Sequence, residues 1–363
     1  TKTLGCFQIE SPGQRELLGK FAPDRFSDLI IDISLFRPGP VKSDMVTPFL
    51  MARQGWCAPE YPHSDLESIL HETYGVVVFH EQVLRIIATM TGCSLAEGDE
   101  CRRSMGSPDG QDDVRAWFYP TAINHGYDVP TVERVWEILR AFASFGFCTA
   151  HAAAFALPTY QSAWLKAHYP AAFYCGILTH DPGMYPKRLL LDDARVHGIR
   201  VLGINVNISG DAYQEEGADA QAIRVPLTEV EGMSAREVKR LIDRRRFSSL
   251  SDAIGRAELS RPVAENLVVT GAFDALHPSP VTRRDLLLQV ADIDRHTRST
   301  GIDTQLSFDL LGSTAEYVPI TGLPEMKASD RVRSEMSVLG LDVSAHVVDF
   351  YKDLLSEMRA TAA

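Results

Sequence analysis

Apolar residues between positions 130 and 170 recur with the spacing of two helices joined by a short break. The first helix carries an apolar stripe at intervals of three and four residues, formed by Val132, Val135, Trp136, Leu139 and Phe142. Phe145-Gly146-Phe147 interrupts the stripe, because glycine is unfavourable in a helix interior and favourable in an aperiodic turn. The alanine-rich run 150–156 favours a second helix, which Pro158 is expected to kink or restart.

The break between these helices is an aromatic-glycine elbow that also carries candidate chemistry. Phe145, Cys148 and His151 lie in it or directly after it, at the mouth of the predicted helix pair. Taken alone, the stretch is typical of a helical core with a tight turn. A cleft lined by an aromatic ring is the alternative.

Three earlier stretches also carry charged or stiff motifs. Arg37-Pro38-Gly39-Pro40 predicts a stiff turn, since proline fixes φ and glycine allows unusual dihedrals. The triplet 80–82, His-Glu-Gln, begins a predicted helix, and Leu84 excludes the H-E-x-x-H pattern of a metalloprotease. Arg102 and Arg103 are adjacent at a predicted helix end, where they could flank one anion or simply be solvated.

The pattern changes from residue 226 onwards to short helices separated by tight turns. Gly232 opens a turn before an amphipathic helix whose outer face is basic, with Arg236, Lys239 and Arg240. A second unit of the same kind begins near Arg261. Two such units predict tandem helix-hairpin-helix modules, which offer backbone N–H groups to a DNA phosphate. Ser234 stands where the first hairpin would usually have a second glycine, which weakens phosphate binding there.

The composition is that of a globular protein without a membrane span. Of 363 residues, 45% are hydrophobic and 23% charged, and no apolar run approaches the roughly 18 residues of a membrane helix. The net charge of −12 argues against a wholly basic nucleic-acid coat but allows local basic grooves. The six cysteines form no C-x-x-C pair, which indicates reduced thiols in the cytoplasm rather than structural zinc. The chain does not start with Met and is expected to be a fragment or a processed chain.

Seven motifs of this chain resemble, in order and spacing, the fingers and following region of bacterial C-family DNA polymerases, the polymerase III alpha subunit family. They are GCFQIES, LFRPGP, TYGVVVFHEQV, CRRSMG, FGFCTAHAAAFAL, WLKAHYPAAF and VTGAFDAL, and they cover roughly residues 1–275. GMYPKRLLLDDARVHGI, GLPEM and VLGLDVSAHVVDFY are more similar to the error-prone branch than to the replicative one.

The resemblance implies a mainly α fold with a few short strands, in four parts. These are a helical fingers domain with a palm-edge segment (1–204), a tandem helix-hairpin-helix domain (205–280), a linker (281–322) and a helical segment (323–363). It also implies template-dependent nucleotidyl transfer that uses Mg²⁺, DNA primer-template and deoxynucleoside triphosphates. The family's metal-binding aspartates precede a GCFQIES-type segment, so the chain is expected to contain no catalytic residue or metal ligand and not to extend a primer alone.

The family's nucleotide-handling residues map onto the fingers motifs. Arg102 and Arg103 stand at the positions of the arginines that contact the triphosphate, and Phe145 at that of an aromatic near the incoming nucleotide. We also assign His151 to this nucleotide-binding group. Cys148 and Thr149 stand where the replicative branch has Asn and Lys, so the elbow is altered beside the nascent base pair.

Partners other than DNA are less clearly indicated. Gln305-Leu306-Ser307-Phe308-Asp309-Leu310 resembles a sliding-clamp peptide, but Asp309 falls where an apolar anchor is needed, and burying it would cost several kcal/mol. A degenerate linker is therefore favoured over clamp binding. The alternatives to a polymerase part are a non-catalytic DNA-binding module and a module that docks the clamp or repair accessory proteins. No membrane partner is expected, and the predicted location is cytoplasmic.

Overall fold

The structure is a computed structural model that describes residues 2–35, 45–142, 147–181, 183–217, 221–300 and 320–360, with side chains only up to 295 in the fifth range. The chain divides into two compact units, Thr1–Trp164 and Leu165–Ala363. Helices dominate both, and the strands are short, as predicted. No helix in the described ranges is long and apolar enough to cross a membrane.

The first unit consists of helices and short helical turns. The helices are α1 (Pro12–Phe21), α2 (Phe26–Leu35), α3 (Val46–Arg53), α4 (Glu67–Leu70), α5 (His80–Thr91), α6 (Leu95–Ser104), α7 (Pro108–Asn124), α8 (Val129–Phe142) and α9 (Thr149–His168), the last of which runs across the unit boundary. Ser11 caps α1 by accepting the Gln14 N–H, with proline at the first helical position.

The apolar stripe predicted for α8 forms part of the core of this unit. All five of its members are at most 2% exposed, and they pack with Phe118 of α7 and the Ile86–Ile87 pair of α5. A second cluster joins Phe21, Phe49, Phe79 and Phe147. Helix α9 begins at Thr149, as the alanine-rich run predicted, and residues 143–146 of the predicted break lie outside the described residues.

Pro158 does not restart the helix, because α9 continues through it. A proline removes one backbone hydrogen bond and crowds the preceding turn. Burial of Ala152, Ala156 and Thr159 on either side of it offsets that cost.

The second unit combines a small sheet with helices. The strands β1 (Arg200–Leu202), β2 (Gln214–Glu216) and β3 (Ala222–Arg224) lie in the order β1-β3-β2, with β1 parallel and β2 antiparallel to β3. The helices are α10 (Pro170–His180), α11 (Lys187–Val196), α12 (Ala235–Asp243), α13 (Leu250–Ala257), α14 (Arg261–Val269), α15 (Arg283–Thr300), α16 (Ala328–Leu339) and α17 (Lys352–Glu357).

Helix α15 corrects the interpretation of residues 283–300 as part of a poorly patterned linker. Leu286 and Val290 are buried one turn apart, and α15 packs against α14. Leu286, Val290 and Ile293 carry a helical period within a stretch rich in Ser, Thr and Pro. The four predicted domain boundaries remain predictions.

Within the predicted helical segment, helix α16 begins at Ala328 and not at its first residues. Glu325 does not enter the first turn, because its carboxylate accepts the backbone N–H groups of Arg283 and Met326. The helix ends at Gly340, whose φ of +66° is left-handed.

Candidate functional site

The two arginines at the end of α6 share one carboxylate. Arg102 donates from Nε to Asp99 Oδ1 at 3.0 Å, and its Nη2 lies 2.9 Å from the same oxygen. Arg103 Nη2 lies 2.7 Å from the other oxygen, Asp99 Oδ2. The hydrogen bond from Arg102, followed by the charges of both arginines, holds the pKa of Asp99 below its ordinary value. Asp99 was not predicted, although an acid three and four residues before a pair of arginines signals such pairing.

This arrangement leaves the two guanidiniums unequally available. The Arg102 side chain is 19% exposed and the Arg103 side chain 72% exposed. Each guanidinium carries five N–H donors, and Asp99 occupies only part of them. One carboxylate therefore holds two cationic groups in the last turn of α6, with donors left over for an anion.

Two glycines, one in α6 and one in α7, allow close backbone contacts that position α6. A Cβ on Gly98 would lie 2.8 Å from the Leu84 carbonyl oxygen, so only glycine allows α6 this close to α5. A Cβ on Gly110 would lie 1.9 Å from the carbonyl oxygen of Ser104, the last residue of α6. Close backbone packing thus sets where the arginine pair lies in the first unit.

The described part of the elbow is fastened to the start of α5. The His80 N–H donates to the Phe147 carbonyl at 3.0 Å, and Phe79 and Phe147 form a parallel β-bridge. The Glu81 carboxylate accepts both the N–H and the hydroxyl of Thr149 at the start of α9. The missing second histidine excluded a metal site at this motif, and no local pattern in the sequence predicted the contact between Glu81 and Thr149.

His151 belongs to an aromatic row along the first turns of α9. Its ring centroid lies 5.1 Å from that of Phe147 and 4.3 Å from that of Phe155. Phe7 of GCFQIES meets Phe155 edge-on at 5.6 Å, and its N–H donates to Ser162 Oγ. The structure thus brings three of the matching motifs together on α9.

Several residues of the predicted site lie outside the described residues. These are Phe145, the R-P-G-P turn at 37–40 and the clamp-like peptide at 305–310. The arginine pair and the elbow belong to the same compact unit.

The cations predicted to contact DNA, three in α12 and Arg261 in α14, have different surroundings. Arg240 is turned towards the protein and donates to the carbonyls of Ala257 and Glu258. Arg261 pairs with Glu265 at 2.7 Å and Asp294 at 3.3 Å, and Lys239 with Asp243 at 3.3 Å. Arg236 is exposed and forms no ion pair with any described residue.

The two glycine turns of this region also differ in whether their backbone is open to a ligand. Gly232, with φ of +78°, has no heavy atom within 4 Å of a built Cβ, so its hairpin is open. Gly271, with φ of +82°, is covered by Arg283 Nη2, 2.2 Å from such a Cβ. Ser234, which lowered the expectation for the first hairpin, forms a capping box with Glu237.

The residues present do not fit the Mg²⁺ that the resemblance implies. Among the described residues, one group of possible ligands converges: Asp192, Asp342 and His346. The Val348 N–H donates to His346 Nδ1, so in neutral histidine the proton is on Nε2, which faces the two carboxylates. Arg195 also lies 2.5 Å from Asp192 Oδ1. These side chains are arranged as ion pairs, with Arg195 on Asp192 and His346 facing both carboxylates, whereas Mg²⁺ prefers oxygen ligands in an open octahedral site.

Comparison with known proteins extends over almost the whole chain. The error-prone DNA polymerase of Symbiobacterium thermophilum is 34% identical across 98% of this chain and 36% of its own length. The DNA polymerase III subunit alpha of Aquifex aeolicus is 32% identical across 98% of this chain and 30% of its own length. The error-prone DNA polymerase of Teredinibacter turnerae is 36% identical across 80% of this chain. The chain thus spans about a third of the length of these curated relatives.

Family models divide the chain in the same order as the motifs. Residues 1–147, which contain the arginine pair and the start of the elbow, match the bacterial DNA polymerase III alpha subunit finger domain. Residues 198–286, which contain both glycine turns, match the helix-hairpin-helix motif. The chain therefore belongs to the bacterial DNA polymerase III alpha subunit family, with a finger domain followed by a helix-hairpin-helix region.

Proposed function

We propose that this chain is the part of a DNA-directed DNA polymerase that binds the incoming nucleotide and holds the DNA, in an error-prone enzyme. The observation that carries the proposal is the pair of arginines held on Asp99 within the finger-domain match. Relatives with error-prone and with replicative names are about equally similar, at 34% and 32% identity. The error-prone role rests on the names of the relatives and on the altered elbow residues Cys148 and Thr149.

Arg102 and Arg103 would act on the triphosphate of the nucleotide. Planar guanidinium groups match the geometry of phosphate oxygens and bind them through charge-assisted hydrogen bonds. Because Asp99 already orients both side chains, little rotamer entropy is lost when the anion binds. His151 and Phe145 would border the base or the sugar, where stacking tolerates all four bases.

Mg²⁺, when bound, would neutralise phosphate charge during nucleotidyl transfer, with ligands that we propose lie outside this chain. DNA primer-template and deoxynucleoside triphosphates are the proposed substrates, and the cytoplasm is the proposed location. Residues 305–310 are the segment through which we propose that clamp or repair accessory proteins would dock.

Hydrogen exchange tests the nucleotide-binding proposal against a DNA-binding module without a nucleotide site. Deoxynucleoside triphosphate should slow amide exchange at residues 99–106 in a complete polymerase carrying this chain. A duplex without nucleotide should leave that segment unchanged. Protection by DNA alone would favour the DNA-binding module.

Duplex DNA should bind residues 226–275 weakly and without sequence preference, because phosphate contacts carry no direct sequence information. Binding should weaken steeply with salt through counterion release. Arg236→Ala should lower the affinity and reduce the log–log salt slope by about 1, as expected for one lost phosphate contact. Fluorescence anisotropy of a labelled duplex over a salt series measures both quantities.

Arg240→Ala is the matched control, since its guanidinium is already bonded to carbonyls. It should lower the melting temperature and change the salt slope little. A salt slope that is flat in the parent protein, or lowered by Arg240→Ala but not by Arg236→Ala, would contradict the assignment.

A further inference from the structure

We propose that Glu81 is a positioning residue for nucleotide selection, which fixes the elbow by capping the start of α9 from a different helix. The inference rests on the proposed function. It concerns a residue of the FHEQV motif that lies 68 positions before its partner Thr149.

The contact is a compact set of hydrogen bonds to one carboxylate. The Thr149 N–H lies 3.1 Å from each Glu81 oxygen, and the Thr149 hydroxyl donates to Oε2 at 2.8 Å. The Cys148 thiol donates to Oε1 at 3.5 Å. Partial burial opposes the charge of Glu81, but these bonds and those from the backbone outweigh it and lower the pKa of the carboxyl.

Helix α9 needs this charge because it has no acidic residue in its own first turn. The N-terminus of a helix carries unsatisfied N–H groups and a partial positive charge. Glu81 also lies in the first turn of α5, so one carboxylate serves the N-termini of two helices. Capping from another helix ties two elements together, whereas a local cap would stabilise α9 alone.

The bonds between Glu81 and Thr149 hold residues 147–149, which follow Phe145 in the chain. With the His80–Phe147 backbone bond and the Phe79–Phe147 bridge, they attach this segment to α5. His151 follows two residues later and packs on Phe147. A small displacement of a binding group costs far more in transition-state binding than in fold stability.

Single-nucleotide insertion kinetics in a complete polymerase carrying this chain test the proposal. Glu81→Gln keeps the size of the side chain, but its NH₂ faces donors that need an acceptor. We expect KM for the correct nucleotide to rise roughly tenfold or more, with kcat changed less and a melting temperature only a few degrees lower. Thr149→Ser, which keeps the hydroxyl, should behave like the parent, and Thr149→Val should raise KM as Glu81→Gln does.

The pair also predicts coupling. Glu81→Gln combined with Thr149→Val should raise KM by less than the two separate effects multiplied together, since both changes act on the bond between the Thr149 hydroxyl and Glu81. Glu16→Gln is the matched control, because Glu16 is an exposed acid in the same unit paired only with Lys20 among described residues. It should change neither KM nor kcat.

The results distinguish a failure of the role of Glu81 from a failure of the proposed nucleotide site. If the arginine variants raise KM but Glu81→Gln does not, or if its activity falls only with the folded fraction, Glu81 is structural and the inference is wrong. If neither Glu81→Gln nor the arginine variants change KM, the nucleotide site itself is misassigned and the inference fails with it.

Discussion

Replacing Arg102 and Arg103 together by alanine in a complete polymerase should raise KM for deoxynucleoside triphosphates by about two orders of magnitude or more. Each charge-assisted hydrogen bond to phosphate contributes about 1.5–3 kcal/mol, and every 1.4 kcal/mol is about tenfold in affinity. The fold should survive, because Arg103 is 72% exposed and both arginines bond to Asp99, on their own helix.

The two single variants should differ in how far they affect nucleotide affinity and fold stability. Arg103→Ala removes the more exposed guanidinium, so its loss should fall almost entirely on nucleotide affinity. Arg102→Ala should also cost some stability, since its side chain is mostly covered. Steady-state insertion kinetics with a thermal melt of each variant separate the two contributions.

Arg140→Ala is the control for charge, because Arg140 is an exposed arginine in the same unit paired with Glu137 in its own helix. It should leave KM within twofold or so of the parent, as surface charge changes usually do. An unchanged KM in the double arginine variant would contradict the proposed nucleotide site.

Unfolding of the first unit should become easier as the pH rises from about 4 to about 7, through Asp32. This residue is fully buried in α2, and neither carboxylate oxygen has a hydrogen-bond partner among the described residues. Burial raises the pKa of Asp32 to about 7. Between the unfolded and folded pKa values the folded state holds a proton that the unfolded state has lost, so stability falls as pH rises.

The size of this effect follows from proton linkage. One proton corresponds to about 1.4 kcal/mol per pH unit, or about 4 kcal/mol between pH 4 and pH 7. Asp32→Asn removes the titration, so the variant should gain stability relative to the parent over this range and keep a constant difference above it.

The measurement can be confined to the first unit. All four tryptophans lie at positions up to 164, within that unit, so their fluorescence during urea unfolding reports on it. Asp28→Asn is a control of opposite sign in the same helix. Burial opposes the charge of Asp28, but hydrogen bonds from Asp24 and Arg25 and the Arg53 guanidinium outweigh it and lower its pKa.

Asp28→Asn should therefore destabilise the unit at neutral pH, by an amount that shrinks as the pH falls. For Asp32→Asn, a difference from the parent that does not vary between pH 4 and pH 7 would show that Asp32 is ionised in the folded state. It would also mean that another group compensates its charge.

The sequence by itself determined the elements that have a clear local signal and the family to which the chain belongs. The stripe of α8, the cap of α1 and the glycine break before α9 are local signals, carried by residues within a few positions of one another. Such signals survive folding, because a helix buries the face that its period defines. The motifs of the finger domain are equally local, so the family could be predicted before any contact was known.

Only the tertiary structure decided what the charged residues do. Arg240 was predicted to face DNA, yet it bonds to carbonyls 17 and 18 residues away. Glu81 was passed over, yet it caps a helix 68 residues further on. Helix periodicity predicts which face of a helix points outward, but a long side chain on that face can still turn back to a distant backbone group. That choice depends on elements brought together by packing, and no pattern of neighbouring residues records it.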